Sequence, residues 1–269
     1  MTDLFKDKIY SNNFFYINFK DLKNKILISR ENKFSKNNLY SEIYTKIRSE
    51  DEIYKYLGKS KNAWKDTANF LNKIISKNFN KPLKVLSFGS GFGFIESYLS
   101  EYGHNITGIE FNKDERFWSP KVRYFSNLKD IKDEKFDMAY IVSVLYSFED
   151  DELKKTLIDI KRLLNKDALL IVYEQDTRSI LGSIKWLFLS AFLSINKSIF
   201  KDFVFWGYLR TDNQIKRLLD KLFVHQDSFH FGLGKDGGMV EMKKTKRFFG
   251  RQIFGRKNRS QLHIFKKGV

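Results

Sequence analysis

A glycine turn set between an apolar strand and an amphipathic helix constrains this chain more than any other feature. Lys84–Phe88 is a short apolar run and predicts a strand, and Gly89-Ser90-Gly91-Phe92-Gly93 follows it directly. Phe94–Tyr102 predicts a helix with Ile95, Tyr98, Leu99 and Tyr102 on one side, closed by Gly103 where a glycine commonly ends a helix. Asn105–Glu110 predicts a second strand. Two strands joined by a helix over so short a span form a βαβ unit, hence a parallel pair. Glycines let backbone approach a ligand closely, and the helix N-terminus offers free N–H groups. The spacing is G-x-G-x-G; a dinucleotide fingerprint would need glycine where Phe94 stands. Glu110 ends the second strand, where a carboxylate can accept both hydroxyls of a ribose. The alternative is a solvated strand-end acid, and the glycine turn favours the ribose reading.

The alternation continues downstream. Val122–Phe125, Phe136–Val144 and Ala168–Tyr173 predict strands, and Asp151–Leu164 predicts a helix buried through Leu153, Leu157, Ile160 and Leu164. Thr211 opens a further helix with Gln214 placed for a capping box. Val224–Phe231 and Leu262–Phe265 predict the last two strands. Together these imply an α/β fold with a mainly parallel, Rossmann-like seven-stranded sheet and helices on both faces. Upstream, Asn62–Lys77 predicts a helix through Trp64, Ala68, Leu71 and Ile75, broken at Pro82. Residues 1–80 are expected to form a helical extension or lid, and 81–269 the catalytic domain. The aromatic stretch 176–210 interrupts the rhythm as an insertion. It is either a substrate-covering lid or a helical hairpin that buries its aromatics on the core.

KVLSFGSGFG followed by HNITGIEFN resembles the first two motifs of class I S-adenosylmethionine-dependent methyltransferases. FDMAYIVSVLYSFEDDELKKTLIDIKRLLNKDALLIVYEQD resembles their fourth strand, following helix and fifth strand. The resemblance covers roughly residues 81–175. It implies S-adenosylmethionine as cofactor, with Gly89, Ser90, Gly91 and Gly93 along its methionine portion and Glu110 on the ribose. Ser126 and Asn127 would flank the adenine, and Ser143 and Val144 would face the sulfonium. The chain departs from the family at Ser87, where an acid is usual, at Ser126-Asn127, where an Asp is frequent, and at Lys166-Asp167-Ala168, where a Gly-containing turn is usual.

Methyl transfer from a sulfonium is an in-line displacement, for which a protein mainly supplies alignment. An oxygen nucleophile also benefits from a general base, and the candidates are Tyr146, His225 and His230. The two histidines sit on one predicted strand at an odd separation, so their side chains are expected on opposite faces. No N-P-P-Y or D-P-P-Y follows the fourth strand; Ser143-Val144-Leu145-Tyr146 stands there. That pattern favours an oxygen or carbon of a small molecule, sugar or lipid-linked acceptor over nucleic acid.

The net charge of +17 attracts polyanions, or reflects a lysine-rich composition. Lys243–Arg259 holds eight Lys or Arg residues interleaved with Phe248, Phe249 and Phe254. The segment is either a solvated hairpin, a contact to an anionic membrane surface, or an RNA-tracking stretch. Two further readings therefore stand beside the first: an RNA methyltransferase using residues 243–259, and a non-catalytic Rossmann-like binding protein suggested by Ser87. The chain has no Cys, which excludes disulfides and thiolate metal sites. Its four His are scattered, and no metal site is expected. No signal-like apolar segment opens the chain, and residues 186–196 are too short to span a bilayer. A cytoplasmic protein is expected, with peripheral membrane contact as an added expectation.

Overall fold

The computed structural model describes residues 15–17, 25–29, 62–111, 118–175, 203–208, 210–233, 239–241, 247–248, 251–252 and 259–268. Strands β1 (Phe15–Ile17) and β2 (Lys25–Ser29) come first, followed by helix α1 (Asn62–Asn78). The core begins with β3 (Lys84–Phe88), α2 (Phe94–Glu101), β4 (Asn105–Ile109) and β5 (Arg123–Phe125). It continues through β6 (Phe136–Val142), α3 (Asp150–Leu163) and β7 (Leu164–Gln175). After β8 (Phe203–Tyr208) come α4 (Asp212–Leu219), β9 (Phe223–Leu233) and β10 (Met239–Glu241). A short hairpin, β11 (Arg247–Phe248) with β12 (Arg251–Gln252), precedes β13 (Arg259–Lys267).

The main sheet has the order β10-β9-β13-β7-β6-β3-β4-β5. The pairs from β5 through β7 are all parallel, and β13 runs antiparallel to both β7 and β9. The seven expected strands are present, and β10 adds an antiparallel eighth at the β9 edge.

Strand pleating sends alternate side chains to opposite faces, and each face has its own core. Leu71, Ile75, Val85, Leu99, Ile106, Tyr140 and Ile171 pack under α1 and α2. Leu86, Phe88, Ala139, Ile141, Leu153, Leu157, Leu170, Val172, Ile215 and Phe265 pack under α3 and α4. Helix α3 forms where the sequence places Asp150, Asp151 and Glu152 in the first turn and Lys161 and Arg162 in the last, both favourable to the helix dipole. Helix α4 carries the expected capping box. Thr211 Oγ1 accepts from the Gln214 N–H at 3.2 Å, and Gln214 Oε1 accepts from the Thr211 N–H at 2.8 Å.

Within residues 1–80, expected as a helical extension or lid, α1 is a helix, and the described residues before it are strands. β1 pairs with β2, and β2 pairs with β8 from the 176–210 insertion. Partners so distant in sequence leave only a weak local pattern, which explains the helical expectation. Residues 176–202 of the insertion lie outside the described residues.

Candidate active site

The parallel strands bring their carboxyl ends to one edge of the sheet, where open α/β sheets bind ligands. The glycine turn crosses this edge. The Gly89 and Ser90 N–H groups donate to Ile109 O at 2.8 and 3.1 Å, which ties the turn to the end of β4. Gly93 caps α2 in the left-handed region, with φ 75°. A Cβ there would press on the Tyr124 hydroxyl and the Trp118 ring; a Cβ on Gly89, at φ 78°, would meet the Val144 side chain. The turn is therefore a fitted cradle in which glycine is required at both ends. Glu110 Oε2 accepts from the Gly91 N–H at 2.6 Å, and Trp118 Nε1 donates to Gly91 O at 3.0 Å. Glu110 is thus buried against the turn, with Oε2 engaged by the Gly91 N–H.

Beneath the turn lies a carboxyl that sequence reading overlooked. Glu96, in the first turn of α2, is 1% exposed. Its Oε1 accepts from Ser87 Oγ at 2.5 Å and from the Tyr140 hydroxyl at 2.6 Å. Burial pushes its pKa above the usual carboxylate range, against the lowering effect of these two hydroxyls. Ser87 stands where an acid was expected, and Glu96 supplies a carboxyl there from the helix instead. Glu96 and Leu99 are one helical turn apart on the buried side of α2, but the local pattern does not separate a buried acid from a solvated one. Trp118 stacks on Tyr124 with ring centroids 4.1 Å apart and closes the flank of the turn. Phe111, 57% exposed, follows Glu110 and presents a ring edge-on to Phe88.

The third and fourth core strands contribute the remaining cofactor candidates. Ser126 follows β5. Asn127 Oδ1 accepts from the Lys129 N–H at 3.0 Å and caps a short 3₁₀ turn, so this oxygen is already engaged. Ser143, just past β6, is exposed and has φ 55°, a strained conformation for a non-glycine residue. Val144 touches the turn at Gly89. The loop that follows is gripped from two sides by residues absent from the sequence-based reading. Glu174, buried at the end of β7, accepts from the Val144 and Leu145 N–H groups at 2.7 and 2.6 Å. Arg210, also buried, donates to Leu145 O at 2.6 Å and Phe148 O at 2.7 Å, and pairs with Asp150 at 2.7 Å. Nothing in the local sequence around Arg210 announces this reach.

The base candidates separate. Tyr146 lies on the 3₁₀ turn Leu145–Ser147, half-buried at the correct edge. His230 pairs across from Gln261, which pairs with Glu174, and so lies level with that edge but strands away from the glycine turn. His225 pairs with Phe265, itself opposite Leu170, well back along the strands. It is not brought to the ligand edge. The expected opposite facing of the two histidines is corrected as well. The β9–β13 register shifts between Ile264 and Phe265, so Gln226 is unmatched and His225 and His230 face the same side. The Ser228 hydroxyl lies between His225 Nε2 (2.8 Å) and His263 Nδ1 (2.9 Å), a partly buried network that reaches the buried His263 beside Asp212.

An open polar cleft lies at the opposite, amino edge of the strands, lined by Lys81, Lys84, Asp133, Glu134 and Asp137. Asp137 there accepts from the Lys84 N–H and from Asn165, so its oxygens are engaged in fastening the fold. Among the described residues no cluster of His, Asp or Glu could hold a metal. No helix among them is long and apolar enough to cross a membrane. Of the basic segment 243–259, only the backbone of β11, β12 and the start of β13 is described.

This sheet order, with a glycine cradle after β3, an acid at the end of β4 and a gripped loop after β6, defines a Rossmann-like S-adenosylmethionine-dependent methyltransferase. A methyltransferase domain family matches residues 59–227, more than half of the chain, and the protein belongs to that family. Solved structures show the same fold. The 1,6-didemethyltoxoflavin-N1-methyltransferase of Burkholderia thailandensis is 14% identical, covering 94% of this chain and 98% of its own, with a TM-score of 0.57. The N-methyltransferase NodS of Bradyrhizobium japonicum, solved with S-adenosylhomocysteine, is 14% identical over 86% of this chain and 100% of its own, TM-score 0.54. A S-adenosylmethionine-dependent methyltransferase of Methanosarcina mazei is 17% identical over 73% and 97%, TM-score 0.51. No curated protein matches the chain by sequence.

Proposed function

We propose that the protein methylates a small organic acceptor, at an oxygen or carbon, in a site between the glycine turn and the loop 143–150. The observation that carries this reading is the loop itself. Its backbone is gripped on both sides by Glu174 and Arg210, and it presents exposed Ser143 and half-buried Tyr146 to the ligand edge. Bound S-adenosylmethionine would supply an electrophilic methyl group there. The chain's own residues supply placement. The Gly89–Gly93 cradle accepts the methionine portion, Glu110 the ribose hydroxyls, and Phe111 with Ser126 and Asn127 the adenine. Ser143 and Val144 flank the reacting end, and Tyr146 is placed to hold or receive an acceptor proton. Alignment of this kind accounts for most of what such a transfer requires.

The lid reading of residues 176–210 is supported by β8, which runs beside the Leu145–Ser147 turn and pairs with β2. A nitrogen acceptor is a second reading, favoured by the similarity to two N-methyltransferases, the 1,6-didemethyltoxoflavin-N1-methyltransferase and NodS. The test is incubation of the purified protein with S-adenosylmethionine and panels of phenols, sugars, amines and RNA, followed by mass spectrometry. Methylation of a small hydroxyl or carbon acceptor supports the proposal. Methylation of amines alone, or of RNA alone, replaces it with the corresponding alternative.

A further inference from the structure

The turn's most unusual neighbour is a carboxyl. Glu96 is 1% exposed, and both of its hydrogen bonds enter through Oε1. Its Oε2 is buried and has no hydrogen-bond partner among the described residues, and neither has the buried hydroxyl of Tyr124. A buried carboxylate oxygen with no donor is costly, since desolvation is uncompensated. Among the described residues no cation answers it. The groups acting on Glu96 are Ser87 on β3, Tyr140 on β6 and Glu110 at the end of β4, with Tyr124 on β5 in turn sensing Glu96. Glu110 adds negative charge, so among the described residues the Glu96 carboxyl meets two neutral hydroxyls, its own backbone N–H and one repulsive neighbour.

The missing cation belongs to the ligand that the cradle fits. S-adenosylmethionine carries an ammonium and a sulfonium against one carboxylate, so it arrives with net positive charge. Gly93, the residue that opens α2, lies directly above Tyr124 and three positions before Glu96. We propose that Glu96 is a positioning residue for cofactor binding: a buried counter-charge beneath the glycine turn that releases its proton to solvent as the cationic cofactor binds. The inference rests on the S-adenosylmethionine reading of the site.

The balance is simple. Free protein holds Glu96 protonated over part of the pH range, because burial raises its pKa. A nearby positive charge favours the carboxylate, and the displaced proton passes to the buffer. Cofactor affinity therefore rises with pH through the Glu96 titration. S-adenosylhomocysteine, which lacks the sulfonium charge, displaces less proton.

Calorimetry in paired buffers of different ionisation heat counts the protons directly. The wild type is expected to release a fraction of a proton with S-adenosylmethionine and less with S-adenosylhomocysteine. Glu96→Gln should abolish the release and weaken S-adenosylmethionine on the order of tenfold, equivalent to about 1.4 kcal/mol. Ser87→Asp combined with Glu96→Gln returns a carboxyl to the adjacent strand position and should restore affinity and proton release; Ser87→Asp alone should not improve on the wild type, because two carboxyls would crowd one site. Binding by the wild type without proton release at any pH from the ordinary carboxylate range upward would overturn the proposal, whatever the variants do. So would an unchanged proton count in folded Glu96→Gln. Failure of the wild type to bind either ligand would instead overturn the cofactor reading.

Discussion

Gly93 and Ser143 both hold left-handed backbone at the ligand edge, but with opposite consequences for substitution. At Gly93 the conformation is free, and the space for a Cβ is taken by Tyr124 and Trp118. Gly93→Ala must therefore pay left-handed strain of about 1–2 kcal/mol and also displace packed rings. We expect a lower denaturation midpoint and weaker S-adenosylhomocysteine binding together; an unchanged midpoint would mean that the rings move freely. At Ser143, with φ 55°, the strain is present already. Ser143→Gly should raise stability by about 1 kcal/mol and lower methyl transfer, because strain kept at a site commonly serves it. A variant that is more stable and equally active would show that the Ser143 hydroxyl has no part in the reaction. Glu110→Ala should cost about 1.5–3 kcal/mol of cofactor affinity, the range for hydrogen bonds to charged groups. Equal affinity in a folded variant would reduce Glu110 to a latch on the Gly91 N–H.

Elements with strong local periodicity were legible in the sequence almost to the residue. α3, α4 with its capping box, and the βαβ unit around the glycine turn all follow from spacing and caps. Features set by distant partners were not. Within residues 1–80, expected as a helical extension or lid, α1 follows its periodicity, whereas β1 and β2 form by pairing with each other and with β8. The facing of His225 against His230 depended on a bulge opposite β13, which no local pattern in Phe223–Leu233 reveals. That bulge belongs to the element that buries His263, whose pKa desolvation lowers to about 3, partly offset by Asp212. The unfolded chain takes up a proton on this imidazole near its ordinary value of 6.5 and the folded chain does not. Its contribution to stability is therefore complete above that value and is lost as pH falls toward about 3. His263→Gln should flatten the fall in thermal midpoint between pH 6.5 and pH 4, measured against the wild type. An equally steep acid profile in the variant would assign that fall to other groups.

At the scale of the whole molecule, the sheet sorts its two edges by chemistry. The amino edge is an open cleft of lysines and carboxylates, where Asp137 fastens β3 and the start of β7. The carboxyl edge gathers the glycine turn, Glu110, Ser126 and Ser143 from four adjacent strands, the positions for which the family resemblance implies cofactor contact. The sequence did not reveal how that edge is held. Glu96, Glu174 and Arg210 are single charged residues in otherwise apolar or irregular surroundings, and their roles come from long-range contacts. The account stands on this edge binding the cofactor, and calorimetry of S-adenosylmethionine with the wild type and Gly91→Asp tests it most directly. Gly91 has φ 56° and gives its N–H to Glu110, so an aspartate there adds strain and sets two carboxyls against each other. The expected result is one bound cofactor per wild-type chain and none in folded Gly91→Asp. Absence of binding by the wild type at high cofactor concentration, or equal binding by both proteins, would contradict it.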